Sequence, residues 1–140
     1  MPTDLTIKML KNKQDTNLSA AHQQVIERTI SGLKRFKEIK AIYLFGSHAK
    51  GTAKPRSDID LAFLIEGNRK RIETEVGTSS SPLIDAVPFH RLPLYIQFEV
   101  FKYGKELFVR DKKYVLQSKL HVLREYLDNA YWYCKRKTWK

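Results

Sequence analysis

The sequence predicts an α+β domain, α/β-like in its layering: a small mixed sheet of about three strands, flanked by helices and followed by a long C-terminal helix. Two observations predict it. Short apolar runs near 41–45, 58–65 and 83–89 have the length and composition of strands. Around them, apolar residues recur at three- and four-residue steps, as they do on amphipathic helices. With 140 residues, 42% of them hydrophobic and 29% charged, the chain suits one domain with a real core.

Residues 1–17 are polar and without sustained periodicity, so a flexible or loosely docked arm is expected there, with a single domain over 18–140. From Leu18 to about Ile39, the residues Leu18, Val25, Ile26, Leu33 and Phe36 share one helical side, and Asn17 suits its cap. A first strand follows at Ala41–Phe45, and a second runs from about Asp58 to Ile65. Arg69–Val76 is long enough for about two helical turns, and the glycine- and serine-rich stretch to Pro82 reads as a loop. Leu83–Phe89 is the third strand, carrying Asp85. Pro93 suits the first turn of a helix that Gly104 ends.

The last helix is expected from near Asp111 to about Lys135. Leu116, Leu120, Leu123, Leu127, Ala130 and Cys134 follow one another in steps of four and three, and Val115, Val122, Tyr126 and Tyr133 form a second stripe beside them. One stripe can pack on the sheet. The other is either a broadened core face or a surface for another protein, as a homodimer or a hetero-oligomer.

Composition narrows the function. No apolar run approaches the roughly 20 residues of a membrane span. The opening MPTDLTIKMLKNKQDTN lacks the apolar core of a signal peptide, which makes a cytoplasmic location the expectation. One cysteine, Cys134, leaves no internal disulfide, and the four histidines lack zinc-site spacing. The net charge of +11 favours anionic partners, whether nucleotide, nucleic acid or acidic protein. The basic residues are spread along the chain rather than interleaved with aromatics, so direct nucleic-acid binding is left open.

The chemistry concentrates in LFGSHAKGTAKPRSDIDLAFLI. A strand ends in Gly46-Ser47, ten residues follow, and Asp58-Ile59-Asp60 opens the next strand. Side chains alternate across a strand, so Asp58 and Asp60 fall on one face, roughly 7 Å apart at the backbone. Two hard oxygen ligands on one strand suit Mg²⁺, which takes one or two carboxylates and completes its shell with phosphate oxygens and water. The glycine lets backbone approach a phosphate closely. Lys50, Lys54 and Arg56, in the loop between the motif halves, can offset triphosphate charge. A third carboxylate beside the metal could take the proton of an attacking hydroxyl. Asp85 is the best candidate, on the expectation that its strand and the second form a hairpin; Glu66 and Glu99 are weaker ones.

The segment resembles the nucleotidyltransferase motif of the DNA polymerase β superfamily, and in so short a chain it most resembles the minimal nucleotidyltransferases (MNT family), many of them antitoxin halves of HEPN–MNT pairs. The core of the match is Phe45–Leu64, with looser similarity to about Asp111. The resemblance implies Asp58, Asp60 and Asp85 as catalytic and metal-binding residues for two Mg²⁺ ions. Gly46, Ser47, Lys50, Lys54 and Arg56 would bind the nucleotide. Where family members often carry arginine, this chain has Lys50, which keeps the charge and loses the bidentate fork. The implied reaction moves AMP from ATP onto a tyrosine of a HEPN-type RNase toxin and silences it. The chain is not itself the HEPN half, since no arginine here is followed by histidine at that family's four-to-six-residue gap. Two rivals stand beside this: transfer to a small molecule or an RNA end, and an antitoxin that acts by binding alone.

Overall fold

In the computed structural model the described residues are 20–46, 49, 58–67, 69–78 and 83–138, with side chains followed to Ala130. The expected N-terminal arm lies outside them. So do Ser47, Lys50, Lys54 and Arg56.

Four strands form one sheet: β1 (Ile39–Phe45), β2 (Ile59–Ile65), β3 (Ile84–Pro88) and β4 (Lys105–Val109), in the order β3-β2-β1-β4. The helices are α1 (Ala20–Leu33), α2 (Arg69–Thr78), α3 (Leu94–Tyr103) and α4 (Lys112–Thr138), with a 3₁₀ turn at Phe89–Arg91. The α+β class stands, with one strand more than the three expected.

Both central strands are buried on both faces, which is why β1 and β2 read as near-continuous apolar runs. On one face Ile39, Ile42, Leu44, Ile59, Leu61, Phe63 and Ile84 pack under Ile26, Ile30 and Leu33 of α1 and Ile72 and Val76 of α2. On the other, Ala41, Tyr43, Ala62 and Leu64 meet Val100 of α3 and Val115 and Val122 of α4. The helices therefore sandwich the sheet in three layers.

β1 pairs antiparallel with both β2 and β4. β2 and β3, however, run parallel, not as the expected hairpin. The reason is α2: a helix between two strands carries the chain back to the end where it began, as parallel neighbours require.

β4 is the strand the sequence pattern did not reveal. It begins directly after Gly104, where an added side chain would overlap the Val100 carbonyl oxygen and come within 3.1 Å of the Leu44 carbonyl oxygen. Only glycine lets α3 end so tightly against β1. The strand is then fixed by a long-range bond: the Tyr43 hydroxyl donates to Glu106 at 2.6 Å. Burial and that carboxylate push the phenol's pKa far up, so Tyr43 stays protonated. Beyond β4, Arg110 donates to the carbonyls of Ile39 (3.1 Å) and Lys34 (2.6 Å), tying the end of α1 to the sheet.

α4 starts where Asp111 accepts a hydrogen bond from the Tyr114 N–H at 3.1 Å, an N-cap interaction. Of its two apolar stripes, Val115 and Val122 are buried, and Tyr126 stacks on Phe98 at 3.9 Å with the rings 5° from parallel. The leucine stripe faces outward. Among the described residues, no helix is long and apolar enough to cross a membrane.

Candidate functional site

β1 ends at Phe45, and Gly46 turns the chain with a φ of +76°, a left-handed conformation that glycine adopts without steric cost. β2 begins at Ile59, so Asp58 stands one residue before the strand rather than within it. The Ile59 N–H donates to the Leu83 carbonyl at 3.2 Å and sets the register where β2 and β3 start.

That register places Asp60 beside Phe45 on one side and beside Asp85 on the other. Ile59 and Leu61 of β2, with Ile84 and Ala86 of β3, all pack into the core under α1 and α2. By alternation Asp60 and Asp85 both point to the opposite face, and Asp58 directly precedes Ile59 at the start of β2. Adjacent parallel strands lie about 4.8 Å apart, so two carboxylates at paired positions are near neighbours. Asp58 and Asp85 are exposed and Asp60 is half-buried at the rim of the sheet.

Gly46 bears directly on this arrangement. A Cβ there would overlap Oδ2 of Asp60 and lie 3.3 Å from its Cγ. The turn after β1 and the central carboxylate thus occupy contiguous space, and a bare backbone is required for both to fit.

Sequence reasoning placed Asp58, Asp60, Asp85 and Gly46 in one site, and the fold brings Gly46, Asp60 and Asp85 to one end of the sheet. It missed the direct packing of Gly46 on Asp60 and the place of Phe45 beside that carboxylate. A glycine ending a buried strand was the available signal. Glu66 follows the far end of β2, where it pairs with Lys40 at 3.9 Å, away from Gly46, and Glu99 sits on α3. A cavity of about 410 Å³ also lies at that far end, lined by residues that include Leu64, Ile65, His90 and Gln97, well away from the carboxylates.

The donor set is chemically that of a hard cation: carboxylate oxygens only, with a rim open to solvent. Among the described residues, no three His, Cys, Asp or Glu side chains are gathered into a metal cage. A site that relies on phosphate oxygens and water for most of its ligands does not need one.

Residues 27–113 match the family Polymerase beta, Nucleotidyltransferase, a span that takes in the second half of α1, the whole sheet and the start of α4. The chain belongs to that family. Its fold is shared with solved structures described as toxin–antitoxin assemblies. One, crystallised with AMP-PNP, has a chain 22% identical, with a TM-score of 0.60 over 79% of this chain and 95% of that one. A second comes from a complex of a tri-AMPylated Shewanella oneidensis HEPN toxin with an MNT antitoxin: 20% identity, TM-score 0.57, 82% of this chain and 96% of that one. A third, from an MntA–HepT toxin–antitoxin crystal, also gives 20% identity and a TM-score of 0.57, over 82% and 97%. At such identities the likeness is one of fold. No curated protein matches the chain in sequence.

Proposed function

We propose that this nucleotidyltransferase uses ATP and Mg²⁺ to transfer AMP onto a hydroxyl of a partner protein, as the antitoxin half of a pair whose other half is a HEPN-type RNase. The observation that carries the reading is the pairing of Asp60 with Asp85, on one face of the sheet and against Gly46. Support for the partner comes from the matched assemblies, one holding the ATP analogue AMP-PNP and another an AMPylated HEPN toxin beside its MNT antitoxin. A cytoplasmic location goes with this reading.

Asp58 and Asp60, joined by Asp85, are the residues that would hold two Mg²⁺ ions. When bound, those ions supply positive charge for the entering and leaving oxygens of the displacement. The acceptor oxygen bonds to the α-phosphorus of ATP, the bond from that phosphorus to the bridging oxygen breaks, and pyrophosphate leaves. Asp85 takes the acceptor's proton, from a strand that keeps it alongside Asp60. Gly46 leaves room for the phosphates, Ser47 donates to the β- or γ-phosphate, and Lys50, Lys54 and Arg56 offset its charge.

The test is labelled ATP with Mg²⁺ and a HEPN protein encoded beside this one. Label is expected on a toxin tyrosine, with loss of its RNase activity. Wild-type labelling no greater than that of Asp58→Ala would overturn the proposal.

A further inference from the structure

Among the described residues, four of the seven exposed large hydrophobic side chains lie on the outward stripe of α4. Leu116, Leu120, Leu123 and Leu127 are 56%, 52%, 43% and 61% exposed. Single exposed leucines need no explanation, but four in a row on one ridge do. Their steps of four, three and four residues are the a/d repeat of a two-helix seam rather than the broader stripe of a core face. At 100° per residue the four lie within an arc of about 60°, and about 1.5 Å of rise per residue makes the ridge roughly 17 Å long. The inward stripe is already satisfied by the sheet and by Phe98, so the ridge is not a misplaced core face.

The charges beside the ridge identify the kind of partner. On the same helical projection Lys112 and Lys119 flank it on one side, and Lys113 and Arg124 on the other. The helix's carboxylates, Glu125 and Asp128, project farther round, more than about 100° from the centre of the ridge. Lys119 also meets Glu106 of β4 at 3.6 Å, which holds that cation at the border between ridge and sheet. Two copies of this surface would set cations against cations, and like charges across a seam oppose pairing.

We infer that the Leu116–Leu127 ridge is a docking surface for an amphipathic helix of a partner protein, one with an apolar a/d seam bordered by acidic residues. The net charge of +11 speeds encounter with such a helix, and the leucines bury against its seam. The inference does not depend on nucleotidyl transfer.

The probe is a synthetic four-heptad peptide with leucine at a and d and glutamate at e and g. Its counterpart carries lysine at e and g. Titration of the full chain with the acidic peptide, followed by fluorescence anisotropy, is expected to show binding that weakens at least tenfold between 50 mM and 500 mM salt. The lysine peptide is expected not to bind. Leu120→Glu/Leu127→Glu should abolish binding while leaving circular dichroism and Mg²⁺–ATP affinity unchanged, and Leu120→Ile should retain it. Equal binding of both peptides, or of neither, overturns the inference. So does sedimentation showing a dimer of the chain itself that Leu120→Glu/Leu127→Glu dissociates.

Discussion

Asp60 and Asp85 occupy paired positions on parallel strands, so their carboxylates share one face without any contribution from loop conformation. Conservative removal of either charge is therefore expected to change chemistry far more than stability. Asp85→Asn should lower nucleotidyl transfer by about 10²–10⁴-fold, as for loss of a general base. Its urea midpoint should move by less than the equivalent of about 0.5 kcal/mol, as at other exposed positions. Labelled-ATP transfer and urea unfolding on the same preparation check both. A rate unchanged in Asp85→Asn removes that residue from the reaction.

Gly46→Ala adds two penalties. The left-handed backbone costs an L-residue about 1–2 kcal/mol, and the new methyl group displaces the Asp60 carboxylate. Thermal unfolding should show the first, and calorimetric titration with Mg²⁺–ATP a loss of affinity from the second. Gly32→Ala is the control: nothing lies within 4 Å of the added carbon, and in a helix the change is expected to stabilise by up to about 1 kcal/mol.

Tyr43→Phe removes the 2.6 Å bond to Glu106 that joins β1 to β4. Glu106 is partly exposed and keeps Lys119 as a neighbour, so the expected loss is about 1 kcal/mol rather than the larger cost of stranding a buried charge. Urea unfolding should show a lower midpoint at unchanged slope. In an alkaline titration followed by tyrosinate absorbance, one tyrosine of the wild type should ionise only as the protein unfolds.

Acid should destabilise the fold in two stages. Burial, then Arg69 and Arg91, hold His90 below its ordinary value of 6.5 despite the pull of Glu73, so the folded form binds this proton less readily than the unfolded one. Stability is therefore lost as pH falls below about 6.5. Glu73, held below its ordinary 4.5 chiefly by its hydrogen bonds to Arg91, adds a second loss as pH drops under that value. Urea midpoints between pH 8 and pH 3 should follow this course, and His90→Asn should flatten the first stage.

The central strands were legible because their apolar runs are long and end abruptly, and α3 because Pro93 and Gly104 bracket it. β4 was not. Lys105 and Glu106 open it, Leu107 is its one fully buried side chain, and its anchor is a tyrosine 63 residues earlier in the chain. The direction of β3 was equally hidden, since a helical stretch before it implies a crossover only once the two strands are known to be neighbours. The facing of Asp60 and Asp85 was readable all the same, because paired residues share a face whether strands run parallel or antiparallel. Asp58 fell just outside its strand, within the usual uncertainty of element ends.

β2 is clamped by hydrogen bonds along both flanks, whereas among the described residues β3 has a sheet neighbour on one flank alone. The two carboxylates are thus mounted with unequal firmness. An edge strand is held by ladder hydrogen bonds from one side only, so the mount of Asp85 is the less firmly held of the two. Any acceptor of the transferred group has to reach this rim, and the less firmly held mount is the one on its margin.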